Sequence, residues 1–302
     1  MSNIIFLKPY FKKTPWANEN LKKLFNLKEN FGEAWLISAV NNCESIVKDY
    51  DLILSEFIKK YPNFFALTRQ ESENFIYPNL TKILDAKYPL SIQVHPDDRY
   101  AKQFNSLGKD ECWYVLKTSY EPFILGSKTL DINIIKDTIN TDQIEQYLNK
   151  IKLNEGDFVY IEAGLIHGIP SETMVYELQQ SSDITYRLYD YQRLDKNGNK
   201  RPIHIKESLD TMKLDLKPTI QKSLSENNFY QTKLFNLTKV ELNNNQRIID
   251  TNLAKHCIEV VIIEGEGFID DRPIKKSDVL LISKEAGKVC IKGKLKLFLN
   301  FV

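Results

Sequence analysis

Short extended runs, each closed by a turn residue or a proline, dominate this 302-residue chain and leave little room for long helices. Leu90-Ser91-Ile92-Gln93-Val94-His95 alternates with period two and stops at Pro96, which reads as a strand ending at a rim. Residues 34–40, 112–116, 123–125, 157–161, 174–178 and 185–189 continue this texture, rich in aromatic and β-branched residues. Helical spacing is confined to 18–25, 51–61, an insertion within 130–151 capped by Thr141 and Asp142, and 204–212. The polar segment 195–200 reads as a turn. Beyond a polar, pattern-poor stretch at 213–228, only short strands are expected: 230–237, 257–263, 267–269, 279–282, 288–291 and 295–302. Glu264-Gly265-Glu266-Gly267 reads as a tight hairpin. Many short strands separated by turns predict an all-β protein built from antiparallel barrels or sandwiches. The expected division is a larger domain over 1–215 with a helical insert near 130–150, a linker at 216–228, and a smaller β-barrel at 229–302.

Composition removes several classes of function. Lys plus Arg number 41 against 40 Asp plus Glu, so no basic surplus exists to neutralise a nucleic acid. Hydrophobic residues at 42% can fill a sizeable core, which excludes disorder. The longest apolar runs, such as Val260-Val261-Ile262-Ile263, are strand-sized and far short of a membrane span. No basic head or small-residue cleavage site marks the N-terminus as a secretory signal. Cys43, Cys112, Cys257 and Cys290 are scattered without a C-x-x-C. Neither a disulfide framework nor a cysteine zinc site is expected, and a reducing, cytoplasmic setting fits.

With only four histidines, any imidazole-based site must draw on His95, His167, His204 and His256. Gln93 and His95 project from one face of a strand, and Glu111 opens the next, where an antiparallel neighbour would face that pair. His167 follows the turn Glu162-Ala163-Gly164. Either histidine alone reads as a hydrogen-bonded strand-end residue. Their conjunction with Gln93 and Glu111 gives an amide oxygen, two imidazoles and one carboxylate, a set that suits zinc with an open position. A single carboxylate leaves the site net positive, which favours Lewis-acid chemistry. His204 and His256 read as structural, and Asp97-Asp98 as shaping the turn after Pro96.

Asp157 to His167, with Gly156 and Gly164, resembles the second cupin motif, and Gln93 to Glu111 resembles a modified first motif. More closely, Leu90 to Asp98 (LSIQVHPDD), Gly108-Lys109-Asp110-Glu111-Cys112-Trp113-Tyr114, Gly32-Glu33-Ala34-Trp35, Glu177 to Asp183 and Thr185 to Tyr191 resemble the signature segments of the type I mannose-6-phosphate isomerases in their short bacterial form. The resemblance implies two cupin jelly-roll barrels, one zinc per chain, and interconversion of mannose 6-phosphate and fructose 6-phosphate through a cis-enediol. By position it implies Gln93, His95, Glu111 and His167 as zinc ligands and Arg187 as the catalytic arginine. It assigns Lys109 and Asp183 to proton handling, Lys82 and Ser91 to the phosphate, and Glu177 to an acidic pocket position. It departs from the family at Trp16-Ala17-Asn18, at Glu162 in place of a proline, which should loosen the turn presenting His167, and at Gly168-Ile169, where longer relatives carry a tyrosine.

Negative charge develops on the substrate oxygens during isomerisation, so a metal and a fixed cation such as Arg187 stabilise it. A lysine beside a metal and an arginine is disfavoured as an ammonium, which favours Lys109 as proton carrier, oriented or relayed by Asp183, with Glu177 as the rival base. For Lys82 the alternative reading is a solvated charge; for Arg187 it is an ion pair with Asp183 or Asp190. The partner expected is a small sugar phosphate, with no nucleic acid or membrane, and the chain a monomer or weak homodimer. The smaller barrel is expected to hold no metal. A non-catalytic metal- or sugar-binding cupin is the alternative, disfavoured because a structural zinc needs neither Lys109, Asp183 nor Arg187. A metal-dependent oxidoreductase such as a cupin dioxygenase is disfavoured by the glutamine ligand and the lack of a third histidine.

Overall fold

The computed structural model describes residues 2–119, 121–194, 198–223 and 229–302. The described backbone is mostly β, as expected, and its longest α-helices, Leu54–Lys60, Ile132–Thr138 and Ile205–Thr211, have seven residues each. None of the described helices is long and apolar enough to cross a membrane. All four cysteines are free.

Backbone contacts separate two compact units, Met1–Tyr10 with Trp35–Thr81 and Leu224–Val302, and Phe11–Ala34 with Lys82–Ser223. This differs from the division expected at 216–228. Ile4–Lys8 pairs antiparallel with Val279–Ser283 on one side and Ile46–Val47 on the other, so early segments belong with the C-terminal strands. Pairing between the two ends of a chain leaves no local mark in the sequence. Part of the expected linker, 224–228, and residues 195–197 of the expected turn lie outside the described residues. Thr219–Gln221 is itself a strand, paired with Phe158–Ile161.

The first unit contains a nine-stranded antiparallel sheet whose core includes Ile258, Val260, Leu280, Ile282, Leu297 and Leu299. Three of its strands are long: Asn236–Asp250, Cys257–Ile269 and Lys288–Phe301. The expectation of short strands fails here because register shifts at Asn243/Asn245 and Ile262/Glu264 reset the side-chain alternation within continuous strands. Glu264-Gly265-Glu266-Gly267 is not a hairpin. Gly265 has φ +85°, and a Cβ there would stand 1.9 Å from the Lys294 carbonyl oxygen, so the glycine permits close strand approach. The reversal comes later, where Ile269 pairs with Arg272 across Asp270-Asp271.

The second unit holds a five-stranded sheet in the order Leu148–Ile151, Phe123–Ser127, His167–Gly168, Ile92–Val94, Tyr186–Tyr189. A second sheet runs Thr219–Gln221, Phe158–Ile161, Glu111–Lys117, Thr173–Gln180 and Asn79–Ala86, then on through Glu33–Ile37 and Tyr10–Lys12. Phe123 and Leu125 of the smaller sheet share one core with Trp113, Val115, Val159 and Val175 of the larger. Asn79–Ala86 carries no period-two signal because all eight residues are buried, the polar ones included.

Candidate metal centre and active-site cavity

Both sheets of the second unit contribute to one buried centre. Register places His167 opposite Gln93 on adjacent strands of the smaller sheet, with His95 just past the end of the Ile92–Val94 strand. Glu111 opens a strand of the larger sheet, so it meets the pair across the interior and is not an antiparallel neighbour in their sheet, as the sequence had suggested. His95, Glu111 and His167 each present a ligand atom within 4.8 Å of the others, and all three are buried. The Glu111 carboxylate lies 3.4 Å from His95 Nε2 and 3.3 Å from His167 Nε2.

The donor set fits a divalent metal. His95 Nδ1 donates to the Ile184 carbonyl at 2.8 Å and His167 Nδ1 to the Leu165 carbonyl at 2.8 Å, which leaves both Nε2 lone pairs aimed inward. Burial, with Lys109 adding to it, lowers the His95 pKa to about 3, and burial lowers that of His167. Burial pushes Glu111 upward, but its neighbours, Lys109 first among them, outweigh it and hold the carboxyl well below its usual range. At neutral pH the centre therefore offers two neutral imidazoles and one carboxylate, whose buried oxygens accept no hydrogen bond among the described residues. Gln93 Nε2 stands 3.4 Å from His95 Nε2 and 3.3 Å from His167 Nε2, while Ser91 Oγ donates to Gln93 Oε1 at 3.1 Å. A half-turn of the amide exchanges its two ends, and the Ser91 hydroxyl can accept as readily as it donates.

A cavity of about 300 Å³ is lined by Gln93 and Lys109, which also touch this centre. Its walls bring together Lys82, Ser91, Glu177, Asp183 and Arg187, all singled out from sequence. Lys109 Nζ lies 2.8 Å from His95 Nε2 and 3.0 Å from Glu111. Lys82 is buried between Glu177 at 3.1 Å and Glu33 at 3.8 Å, and those carboxylates raise its pKa against the effect of burial. It is not a solvated charge. Glu177 also accepts from Trp113 Nε1 at 3.0 Å, and burial raises its pKa although Lys82 opposes this. Asp183 is bonded to Lys12 at 3.0 Å, and no hydrogen bond joins it to Lys109. Arg187 pairs with neither Asp183 nor Asp190; its buried Nε has no hydrogen-bond partner among the described residues, and burial lowers its pKa. His204 supports its backbone, Nδ1 accepting from the Arg187 N–H at 3.1 Å, and His256 Nδ1 donates to the Phe65 carbonyl. Asp97 caps a helix by accepting from the Tyr100 N–H.

Sequence reasoning missed Lys12, Lys13, Glu33 and Arg201, which also line the cavity. Arg201 had a legible signal, Asp190 eleven residues upstream in a turn-rich segment, but only the fold shows which way the turn closes. Asp190 accepts from both Arg201 and Arg193, with Arg201 Nε at 2.7 Å. Burial raises the Asp190 carboxyl, but the two guanidiniums outweigh it and hold the pKa low. A carboxylate depressed in the folded state contributes stability above its unfolded pKa of about 3.9 and loses it as pH falls through the folded value. Asp190→Asn is therefore expected to cost roughly 2–4 kcal/mol near neutral pH, with the gap to wild type closing in strong acid. Urea melts at both pH values test this; a gap independent of pH refutes it.

A buried set of two imidazoles and one carboxylate beside a cavity with six basic and three acidic side chains fits a metal-assisted enzyme for a small anion, because a purely structural metal site needs no such lining. Comparison with known proteins gives the particular family. Residues 11–119 match the family model for phosphomannose isomerase type I, catalytic domain. The mannose-6-phosphate isomerase of Streptococcus mutans is 37% identical over 220 residues, 70% of this chain and 68% of that protein. ManA, the mannose-6-phosphate isomerase of Bacillus subtilis, is 30% identical over 308 residues, 96% of each chain. The crystal structure of the mannose 6-phosphate isomerase from Bacillus subtilis superposes with a TM-score of 0.86 at 29% identity, covering 100% of both chains. The chain belongs to the type I phosphomannose isomerase family.

Proposed function

We propose that this protein interconverts mannose 6-phosphate and fructose 6-phosphate through a cis-enediol, with one zinc per chain held by His95, Glu111, His167 and Gln93. The observation that carries this reading is the buried convergence of three ligand atoms within 4.8 Å beside a cavity that contains Lys109 and Arg187. Zinc bound there supplies Lewis-acid polarisation of the substrate's adjacent oxygens. Arg187, partly buried and with its Nε unbonded among the described residues, is placed to add fixed positive charge as those oxygens become anionic. Lys109 carries the proton between C1 and C2, because it reaches both the cavity and the ligand cluster, with Asp183 in the same cavity lining shaping the field. Glu177 is tied to Lys82 and Trp113, which leaves it the lesser candidate for base.

Lys82 and Ser91 are the proposed phosphate contacts. Since Lys82 already faces two carboxylates and Arg201 is bonded to Asp190, the positive charge that a dianion needs comes from the excess of basic over acidic side chains in the cavity lining as a whole. The two sheets of the second unit form the metal-bearing cupin barrel in this reading, and the nine-stranded sheet of the first a degenerate jelly roll without metal. The enzyme acts in the cytoplasm as a monomer or weak homodimer.

A coupled assay on mannose 6-phosphate, with chelator and then zinc added back, tests the whole reading. Activity lost to chelator and restored by zinc is expected; chelator-insensitive or absent turnover would move the protein to the non-catalytic alternative. Arg187→Lys keeps a charge but not the guanidinium geometry, and is expected to lower kcat by roughly 10²-fold with zinc content unchanged.

A further inference from the structure

The turn that presents His167 has Glu162 and no proline to stiffen it, yet each of the next three backbone N–H groups has an acceptor. Gly164 N–H donates to the His95 carbonyl at 2.9 Å and Leu165 N–H to the Glu162 carbonyl at 3.0 Å. The third acceptor is a side chain: Ala163 N–H donates to Asp110 Oδ1 at 2.9 Å. The other oxygen of that carboxylate accepts from the Tyr160 hydroxyl, on the strand that leads into the turn. Asp110 lies between Lys109 and Glu111 and is itself fixed at both backbone atoms. Its N–H donates to Gln180 Oε1 at 3.0 Å and its carbonyl accepts from the Gln180 N–H at 3.0 Å. Gln180 Nε2 in turn donates to Asp98 Oδ1 at 3.0 Å, which also accepts from Gly108 N–H at 2.7 Å. Asp110 is 7% exposed, so water does little to share these bonds.

We propose that Asp110 is a positioning residue for the metal centre, its carboxylate fastening the turn that carries His167 to the strand that carries Glu111. These two ligands sit in different sheets; Ile161 pairs with Glu111 in a backbone ladder, but that ladder ends before the turn and does not by itself set the distance from Glu111 to His167. A side-chain tie adjacent to one ligand and four residues before the other fixes that distance without touching the metal. It also supplies locally the rigidity that a proline would give through its fixed φ. The proposal rests on the reading of His95, Glu111 and His167 as a metal site.

The test measures zinc affinity by chelator competition and the visible spectrum of the cobalt-substituted protein, for wild type, Asp110→Ala and Asp110→Asn. Asp110→Ala is expected to bind zinc about 10–100-fold more weakly and to give an altered cobalt spectrum. Turnover at saturating zinc should fall while KM for mannose 6-phosphate stays close to wild type, since no cavity-lining residue changes. Asn can still accept from Ala163 N–H and donate to the Tyr160 oxygen, so Asp110→Asn should recover most of the affinity and the wild-type spectrum. If Asp110→Ala does not fold, Tyr160→Phe, which removes one of the two ties, carries the same expectation on a smaller scale. A folded variant that melts earlier but keeps wild-type zinc affinity and cobalt spectrum would overturn the proposal. Wild-type protein that binds no zinc would instead overturn the metal-site reading.

Discussion

Glu111→Gln is expected to remove zinc binding and isomerisation together, with turnover reduced at least about 10³-fold, or roughly 4 kcal/mol of transition-state stabilisation. The substitution keeps shape and volume and deletes the only carboxylate among the proposed ligands. That carboxylate stands 3.3–3.4 Å from both inward imidazole nitrogens and 3.0 Å from Lys109 Nζ, so its desolvation is offset chiefly by charge. In wild type without metal, the nearby cation is Lys109 at 3.0 Å. Glutamine therefore leaves a buried ammonium without its carboxylate partner, and the variant should also melt earlier, by up to about 3–5 kcal/mol. Metal content per chain, measured beside the coupled assay, separates the effects. A folded variant with full zinc content and normal turnover would show that Glu111 is not a ligand.

How much of this was readable beforehand depended on whether the decisive contact was local. Gln93 and His95 share a strand face two residues apart, and the segment 157–167 keeps its spacing of strand, glycine turn and histidine, so the proposed ligands could be named from order alone. Their meeting across two sheets could not, because nothing in the stretch from Gln93 to Glu111 states that the chain crosses from one layer to the other. The strand Asn79–Ala86 was invisible for a different reason: burial of every residue erases the alternation by which strands are recognised, and Lys82 within it looked like a surface charge. The long strands of the first unit were divided in two by bulges that flip the inward face midway. The Glu162 departure suggested a loosened turn. The compensating groups, Asp110 and the His95 carbonyl, lie more than fifty residues earlier, and tertiary hydrogen bonds of that kind have no sequence period.

Lys109→Met should divide what Glu111→Gln removes at once. Methionine keeps the apolar stem that fills this buried position and deletes the ammonium and its proton. The Lys109 Nζ lies 2.8 Å from His95 Nε2 and 3.0 Å from the Glu111 carboxylate, where an ammonium and a divalent cation seek the same electron pairs. Removing that competitor should leave zinc affinity intact or tighter. Loss of a positioned proton carrier should lower kcat by about 10²–10⁴-fold, with KM much less affected. A residue that merely braced Glu111 would behave otherwise: its loss would weaken zinc and turnover in parallel, and added zinc would restore activity. Turnover within about threefold of wild type would remove Lys109 from proton transfer altogether. The same assays on Glu177→Gln would then decide whether that carboxyl, raised by burial and held by Lys82 and Trp113, takes the proton instead.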